Sequence, residues 1–401
     1  MTKIVKSFAL FIIIPSALLA SNSIVEYVKT AQKRLSLEDQ IQMINKEKNL
    51  RISAKKLQSF ANFSVDIQYT QTKDQLLPNY FHTIDYSLSD NIDIFNKNSL
   101  IIEKLYLESE KSKYLIWQRK EQLFLSLVNM IAAYHRIHKL LTLHQRFYNE
   151  QKEILTKLTE AYKAGAIPKI ESERFANALT LFHGRIVQEE ELVKNLSQRL
   201  NLYVPDQPIP NFEEVSIHTD ISNFIKQNPL LRYKKIESKI ANKEAEFIKK
   251  SWLPDAVIGA AYQQNSDPTA NGNNYSFFTG IHMNFDSGLK KEAEAAKVQA
   301  LRVKSEEISL KIKEQERYLD YLGKIQAAKR KEKILKPALQ RALLTMQRVK
   351  TAYLKHYIDF NSYLQTLQSL LSIQEEEIDA LITKQKNIVI LNTLSTGKIY
   401  E

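Results

Sequence analysis

Three histidines on one predicted helix have a spacing that could bind a metal ion. His135 and His138 are one helical turn apart, and His144 follows further along the same helix. Such a spacing can place two imidazole ligands on one helix face. However, no acidic or third ligand stands at a matching offset, and His144 falls on the apolar stripe of the helix. We therefore expect packing or surface roles for these histidines, and we predict no metal site and no bound cofactor.

Two runs of three glutamates, Glu189 to Glu191 and Glu375 to Glu377, could supply the carboxylates of a general acid and base. Consecutive residues on an α-helix do not face one another, so neither run contains the facing pair that acid–base catalysis needs. The chain also lacks a glycine-rich phosphate loop, a nucleophile elbow and a metalloprotease motif. We predict that the protein has no catalytic residues and is not an enzyme.

The composition is that of a folded protein and excludes several classes of site. Of the 401 residues, 25% are charged and 44% are hydrophobic, with only 8 Gly and 10 Pro to interrupt helices. There is no Cys, which excludes disulfides, thiolate metal sites and cysteine nucleophiles. The net charge is +12, but the basic residues are interleaved with Glu and lack the aromatic pattern of a nucleic-acid stacking platform. We interpret them as solvated helix faces and expect no nucleic-acid partner.

The first twenty residues predict a secretory signal peptide. Lys3 and Lys6 precede an apolar stretch from Phe8 to Leu19, and small residues follow at the predicted cleavage site after Ala20. The stretch is shorter than the roughly 20 apolar residues of a transmembrane helix, although a retained membrane helix is the alternative. No other segment has 18 consecutive apolar residues, so a membrane-embedded region would have to consist of β-strands.

The elements that position these residues repeat along the chain. The segments from Ala161 to Pro168 and from Ala352 to Asp359 share a pattern at an offset of 191 positions. Each follows a long helix with apolar heptads and precedes a return helix. The predicted domains are a signal peptide at 1–20, a first repeat at 21–203, a linker at 204–218, a second repeat at 219–394 and a tail at 395–401. The first repeat contains a helix at 24–60, a β-hairpin at 64–95 and a long helix at 100–162. The second contains a helix at 220–251, a β-hairpin at 256–286 and a long helix at 289–355.

The two hairpins alternate between apolar and polar residues, which predicts strands with one apolar face. The opposite face carries Asp66, Asp85 and His282, which a dry core would not accept. Four strands of about ten residues suit a membrane but cannot close a barrel, so the pattern requires an oligomer that pools strands. A soluble sheet covered by helices is the alternative. The positions that we interpret as facing lipid are Val65, Ile67, Tyr69, Ile84, Tyr86, Leu88, Tyr262, Tyr275, Phe277, Ile281 and Phe285.

In order and spacing, these motifs resemble the TolC family of outer-membrane efflux proteins over about residues 24–394. The resemblance is carried by the two turns after the long helices, by Asn228-Pro229-Leu230, by Trp252-Leu253-Pro254 before a strand and by Asn284 to Gly288 after one. It implies a mainly α fold with a small β part. Long antiparallel helical hairpins would form an α-barrel, and four transmembrane β-strands per chain would join one twelve-stranded β-barrel in a homotrimer.

The resemblance also implies a passive exit duct of a tripartite efflux pump or a type I secretion system. The channel would lie in outer-membrane lipid of a Gram-negative bacterium and extend into the periplasm, with a periplasmic adaptor protein and an inner-membrane pump as partners. A soluble periplasmic coiled-coil adaptor or scaffold is the alternative. The two turns would be adaptor-contacting tips, formed by Tyr162, Gly165, Ile167, Pro168, Tyr353, His356, Ile358 and Asp359.

The second tip departs from the family pattern in two ways. It has His356 where the family usually has Gly. Some members also close the tunnel with aspartates just after this tip, and the matching positions here are Ser362 and Gln365. Glu171 occupies the corresponding place after the first tip. We treat Glu171, Ser362 and Gln365 as a candidate periplasmic gate whose response to cations differs from that of an aspartate ring.

Overall fold

The computed structural model describes residues 20–60, 62–73, 80–212, 216–217, 220–265, 273–283 and 287–400. The predicted signal peptide, except Ala20, and the predicted lipid-facing Phe285 lie outside these ranges. The described elements are α1 (Ala20–Arg34), α2 (Leu37–Phe60), β1 (Phe63–Lys73), β2 (Tyr80–Ile92), α3 (Lys97–Lys163), α4 (Lys169–Tyr203), α5 (Ile221–Gln227), α6 (Pro229–Lys250), β3 (Asp255–Asn265), β4 (Asn274–His282), α7 (Leu289–Leu354) and α8 (Phe360–Thr396).

Two regions that the sequence predicts as single helices are each divided. The region 24–60 forms α1 and α2, which are separated where Ser36 adopts a φ of 51°. The region 220–251 forms α5 and α6, which are separated by Asn228. Pro229 begins α6 and disfavours a helical backbone at the residue before it, and Asn228 is extended with φ −62° and ψ 118°. The prediction of one continuous helix in each region is therefore wrong.

The chain divides into two compact units, and each contains segments from both sequence repeats. The first unit comprises the described residues of 1–37, 119–228 and 314–401, and the second those of 38–118 and 229–313. The first contains α1, α4, α5, α8 and the C-terminal parts of α3 and α7. The second contains α2, α6, the four strands and the N-terminal parts of α3 and α7.

The core of the first unit follows the heptad seams of α3 and α7. Its apolar residues come from α3, α4, α7 and α8, as heptad packing of long helices requires. The polar residues in the seams have partners on other segments of the unit. Gln151 accepts a hydrogen bond of 2.5 Å from the Tyr363 hydroxyl. Lys384 donates to Glu332 at 2.7 Å, and Asn228 donates to Glu314 at 2.8 Å.

The segment after α8 binds other helices of the first unit. Gly397 adopts a left-handed φ of 72° and ends α8, as glycine commonly does after a helix. The carbonyl of Ile399 then accepts a hydrogen bond of 3.2 Å from Gln32 on α1. The hydroxyl of Tyr400 donates to Glu121 on α3 at 2.8 Å. Burial raises the pKa of Tyr400, so its hydroxyl remains a donor at neutral pH.

The second unit contains one antiparallel sheet with the strand order β1-β2-β3-β4. Lys97, at the start of α3, forms an ion pair of 2.8 Å with Asp255, the first residue of β3, which fixes the helix to the sheet. One register row crosses all four strands through Ile67, Tyr86, Tyr262 and Tyr275. Within the described part of the chain, none of the helices combines the length and apolar character that crossing a lipid bilayer requires.

Candidate functional site

The two tips have the same backbone geometry. At the first, Gly165 has a φ of 73°, and the N–H groups of Gly165 and Ala166 donate to the carbonyls of Tyr162 and Ala161 at 2.9 and 2.8 Å. At the second, His356 takes the glycine position with a φ of 62°, and its own N–H donates to the Tyr353 carbonyl at 2.9 Å. A left-handed residue that ends a helix in this way is normally Gly. The histidine is therefore held in a conformation that L-residues rarely adopt.

Each return helix begins directly after its tip. Pro168 precedes α4 with a φ of −67°, a value already suited to helix entry. Asp359 caps α8, and its carboxylate accepts a hydrogen bond of 2.7 Å from the backbone N–H of Ser362. Hydrogen bonds from the side chain and backbone of Ser362 hold the pKa of Asp359 below its usual range. Asp359 is thus an ionised cap at neutral pH, and Ser362 is its donor.

An aromatic stack holds the two tips together. Tyr353 on α7 and Tyr363 on α8 stack with their ring centroids 4.6 Å apart, and Phe175 on α4 lies 6.4 and 6.1 Å from them. Both tyrosines are fully buried. Burial raises the pKa of each, and for Tyr353 the nearby Glu171 carboxylate raises it further. The stack therefore stays neutral and joins three helices at the end of the bundle.

The predicted tip residues differ in burial. Ile167 and Tyr353 are buried in the tip core, so their side chains support the turns from inside. The side chain of Ile358 is half-buried. The remaining ones are exposed: Tyr162, Gly165, Pro168, His356 and Asp359. Sequence reasoning missed Tyr357, whose side chain is 79% exposed at the second tip. The available signal was its correspondence, at the offset of 191 positions, to Ala166, which directly follows Gly165 in the first turn.

The three candidate gate residues lie next to the tips but have different surroundings. Glu171 is half-buried near the Tyr353 ring, whereas Ser362 and Gln365 are exposed on the first turns of α8. Ser362 is also the backbone donor to Asp359. At the tip end of the helices, the candidate gate positions therefore comprise one carboxylate, that of Glu171 on α4, and two uncharged polar side chains, those of Ser362 and Gln365 on α8.

The histidines on α3 bind protein groups. His135 lies 2.8 Å from the Pro210 carbonyl, and burial lowers its pKa, which favours the neutral ring. The ring of His138 lies 5.8 Å from the Tyr134 ring. His144 is fully buried and lies between Glu189 and Glu375. Each of these glutamates belongs to one of the two glutamate runs. No group of three or more His, Asp or Glu side chains in the described ranges is arranged to hold a metal ion.

The sheet presents the predicted apolar face. Phe277 is 91% exposed, and the other exposed positions on this face include Val65, Ile67, Tyr69, Leu88, Tyr275 and Ile281. Tyr86, Tyr262 and Tyr275 follow one another across three strands with centroid separations of 6.0 and 4.9 Å. Ile84 and Tyr262 lie on the same face and are half-buried. Polar side chains, among them Asp66 and Asp85, occupy the opposite face.

One close contact shapes the polar face. Gly259 pairs with Phe278, and a Cβ added at Gly259 would lie 2.3 Å from the Phe278 ring and 2.8 Å from the Leu88 carbonyl. Only Gly fits this position, because both the ring and a backbone oxygen would clash with any side chain. Phe278 therefore lies across β3 instead of projecting from the sheet.

Comparison with known proteins identifies the fold. No protein-family model and no curated protein sequence matches the chain. Among solved structures, the outer-membrane channel OprN superposes with a TM-score of 0.77 at 14% identity, over 94% of this chain and 89% of OprN. The outer membrane protein VceC of Vibrio cholerae gives 0.76 at 11% identity, over 93% and 96%. The open state of the Neisseria gonorrhoeae MtrE outer membrane channel gives 0.69 at 13% identity, over 94% and 89%. The chain therefore has the fold of these outer-membrane channels.

Proposed function

We propose that this chain is an outer-membrane channel that works as a homotrimer. The observation that carries the proposal is the four-stranded sheet, which has an exposed apolar face, a polar opposite face and two open edges. An aqueous duct through a bilayer needs such strands, with lipid on one side and water on the other. A soluble coiled-coil adaptor or scaffold has no use for a sheet whose apolar face is exposed, so we do not favour that alternative.

The open edges of the sheet support the trimer. Among the described residues, β1 pairs with β2 and β4 pairs with β3, so each of these strands, of 11 and 9 residues, has an outer edge that no other described strand covers. Unpaired strand edges are not tolerated in lipid, because each free N–H and C=O would lose its hydrogen bond with water. Pairing β1 of one protomer with β4 of the next satisfies both edges. Three copies would then form a closed barrel of twelve strands.

Exposed apolar side chains on α4 and α7 also support contacts between protomers. Leu181 on α4 is 79% exposed, and Leu344 on α7 is 58% exposed. Local stretches of the two helices also differ in charge. From residue 333 to 358 the chain has Arg and Lys but no acidic residue, whereas α4 exposes Glu190 and Glu191. We assign the contact between neighbouring protomers to these faces of α4 and α7.

We further propose that the tips receive a periplasmic adaptor, which links the channel to an inner-membrane pump or a type I secretion transporter. The exposed Tyr357 and Pro168 offer apolar contact at a helical end, and neighbouring polar groups can orient a partner. Glu171 beside Tyr353, together with Ser362 and Gln365, would form the narrow periplasmic entrance. Transport through such a duct needs no catalytic residue and no cofactor.

A paired substitution on one strand tests the channel. Phe277→Arg places a charge on the proposed lipid face, at a cost of about 2–4 kcal/mol near the bilayer centre. Ser276→Arg places the same charge on the opposite face of the same strand. We expect outer-membrane recovery of the trimer to fall for Phe277→Arg alone. We expect Ser276→Arg to assemble and to change the single-channel conductance in planar bilayers. Full solubility without detergent, or equal assembly of both variants without pores, contradicts the proposal.

A further inference from the structure

A groove between α2, α3 and α6 of the second unit has an apolar floor and a basic rim. Its volume is about 590 Å³, which is in the range of small-molecule sites. Residues three and four apart lie on one face of a helix, and each of the three helices turns such a face to the groove. The floor is formed by four side chains from α2 and α3: Ile52, Ile102, Tyr106 and Leu107.

The floor is accessible although its side chains are largely apolar. Tyr106 is 50% exposed, and the other three floor residues are half-buried. The packing of a long helix does not require these residues. The positions equivalent to Ile102 and Tyr106 in the second repeat, 191 residues later, are Ala293 and Lys297. The exposed apolar floor is therefore a feature of the first repeat alone.

Two ammonium groups on the rim have no ion-pair partner among the described residues. They belong to Lys56 on α2 and Lys239 on α6, and both side chains are exposed. The third rim lysine, Lys243, pairs with Glu103 of α3 at 2.7 Å. With three lysines and one glutamate, the lining has a net charge of +2. The ammonium of Lys48 lies 5.1 Å from the centroid of the Tyr106 ring and adds positive charge beside the floor.

The floor and the rim together select the chemistry of a ligand. An alkyl chain on the floor gains the free energy of removing apolar surface from water. An anionic head group gains charge-assisted hydrogen bonds from the two unpaired ammonium groups. A cationic amphiphile would meet like charges at the rim, and a small inorganic anion would leave the floor exposed to water. The ligand that satisfies both parts is an amphipathic anion.

We propose that this groove binds a fatty-acid carboxylate. The alkyl chain lies along Ile52, Ile102 and Tyr106, and the carboxylate lies between Lys56 and Lys239. All of these residues belong to one unit of the chain. The proposal therefore stands whether or not the chain forms a channel.

Photolabelling with dodecanoate that carries a terminal diazirine tests the site. The full-length protein is reconstituted in phosphatidylcholine nanodiscs, whose lipid has no net charge, and the labelled residues are mapped by mass spectrometry. We expect labelling of α2 near Ile52 and of α3 near Tyr106. Unlabelled dodecanoate should compete, whereas dodecyltrimethylammonium, with the same chain and a positive head group, should not. Hexanoate should compete at least about tenfold more weakly, because it buries fewer methylene groups.

A pair of matched variants tests the rim. Lys56→Gln with Lys239→Gln should weaken competition by dodecanoate on the order of fivefold, the effect of losing two exposed ion pairs. Lys55→Gln with Lys235→Gln makes the same change in charge on the same two helices, at residues that do not line the groove, and should compete as the wild type does.

Several results would overturn the proposal. They are labelling confined to the strands, equal competition by the cationic amphiphile, and an equal effect of the two double variants. The comparison of the two amphiphiles uses the wild type, so it decides the question even if a variant does not fold.

Discussion

The hydrogen bond between Tyr363 and Gln151 gives a quantitative test of the tip core. Tyr363→Phe keeps the aromatic ring but removes the donor that lies 2.5 Å from the buried Gln151 oxygen. A buried acceptor left without a partner costs about 1–3 kcal/mol. Gln151→Leu in the same chain replaces the other partner and restores an apolar residue to the heptad seam. We therefore expect the double variant to be less destabilised than Tyr363→Phe alone, by about 1 kcal/mol or more.

Native-state hydrogen exchange measures this local stability directly, because helix ends open without unfolding of the whole chain. The amides to follow are those near residue 151 on α3 and near residue 363 on α8. Tyr357→Phe is the control, since this tyrosine is 79% exposed at the same tip and should exchange as the wild type does. The interpretation fails if Tyr363→Phe changes the opening free energy by less than about 0.5 kcal/mol, or if the effects of the two substitutions simply add.

Three further predictions concern the sheet, the C-terminal segment and the protomer contact. Gly259→Ala should impair sheet formation, because the added Cβ would clash with the Phe278 ring and the Leu88 carbonyl. Gly280→Ala should not, because among the described residues no atom beyond its chain neighbours lies within 4 Å of its added Cβ. The yield of the proposed trimer after refolding compares the two variants. Because burial raises the pKa of Tyr400, its stabilising effect is present below the unfolded tyrosine pKa of about 10 and is lost as the pH rises above that value. Tyr400→Phe should therefore flatten the alkaline fall in unfolding temperature, and an unchanged slope would refute the linkage. Leu181→Asp should dissociate the proposed trimer, as measured by light scattering, whereas Thr180→Asp on the same turn should not.

The long helices and the strands follow from local periodicity, which is why the sequence predicts them well. Apolar residues at heptad spacing define α3 and α7, and strict alternation defines the sheet faces. The breaks at Ser36 and Asn228 were missed for different reasons. Pro229 is a visible signal for the second break. The first break depends on a left-handed serine, and the residues around it carry no glycine or proline to reveal it.

The tips show where sequence patterns stop being informative. The repeated motif locates both turns, but it does not distinguish a residue that supports a turn from one that faces a partner. Ile167 and Tyr353 are shared residues of the motif and are buried, whereas Tyr357 occupies a position of the motif that differs between the two copies, and it is exposed. Burial here depends on the stack formed with Phe175 and Tyr363, which lie on the return helices. Such a contact between helices leaves no periodic trace in either of them.

The polar residues in the heptad seams have a common role that only the contacts reveal. Each binds a group on another helix: His144 binds Glu375, Gln151 binds Tyr363 and Glu332 binds Lys384. Sliding one long helix by a heptad moves it about 10 Å and preserves most apolar contacts, because leucine-like residues recur every seven positions. The same slide would separate each polar residue from the partner it binds. Because His144 and Gln151 are seven residues apart, one of them would take the place of the other, and the displaced residue would be buried without its partner. Purely apolar seams would leave the register of these helices weakly specified, so we infer that the polar interruptions fix it.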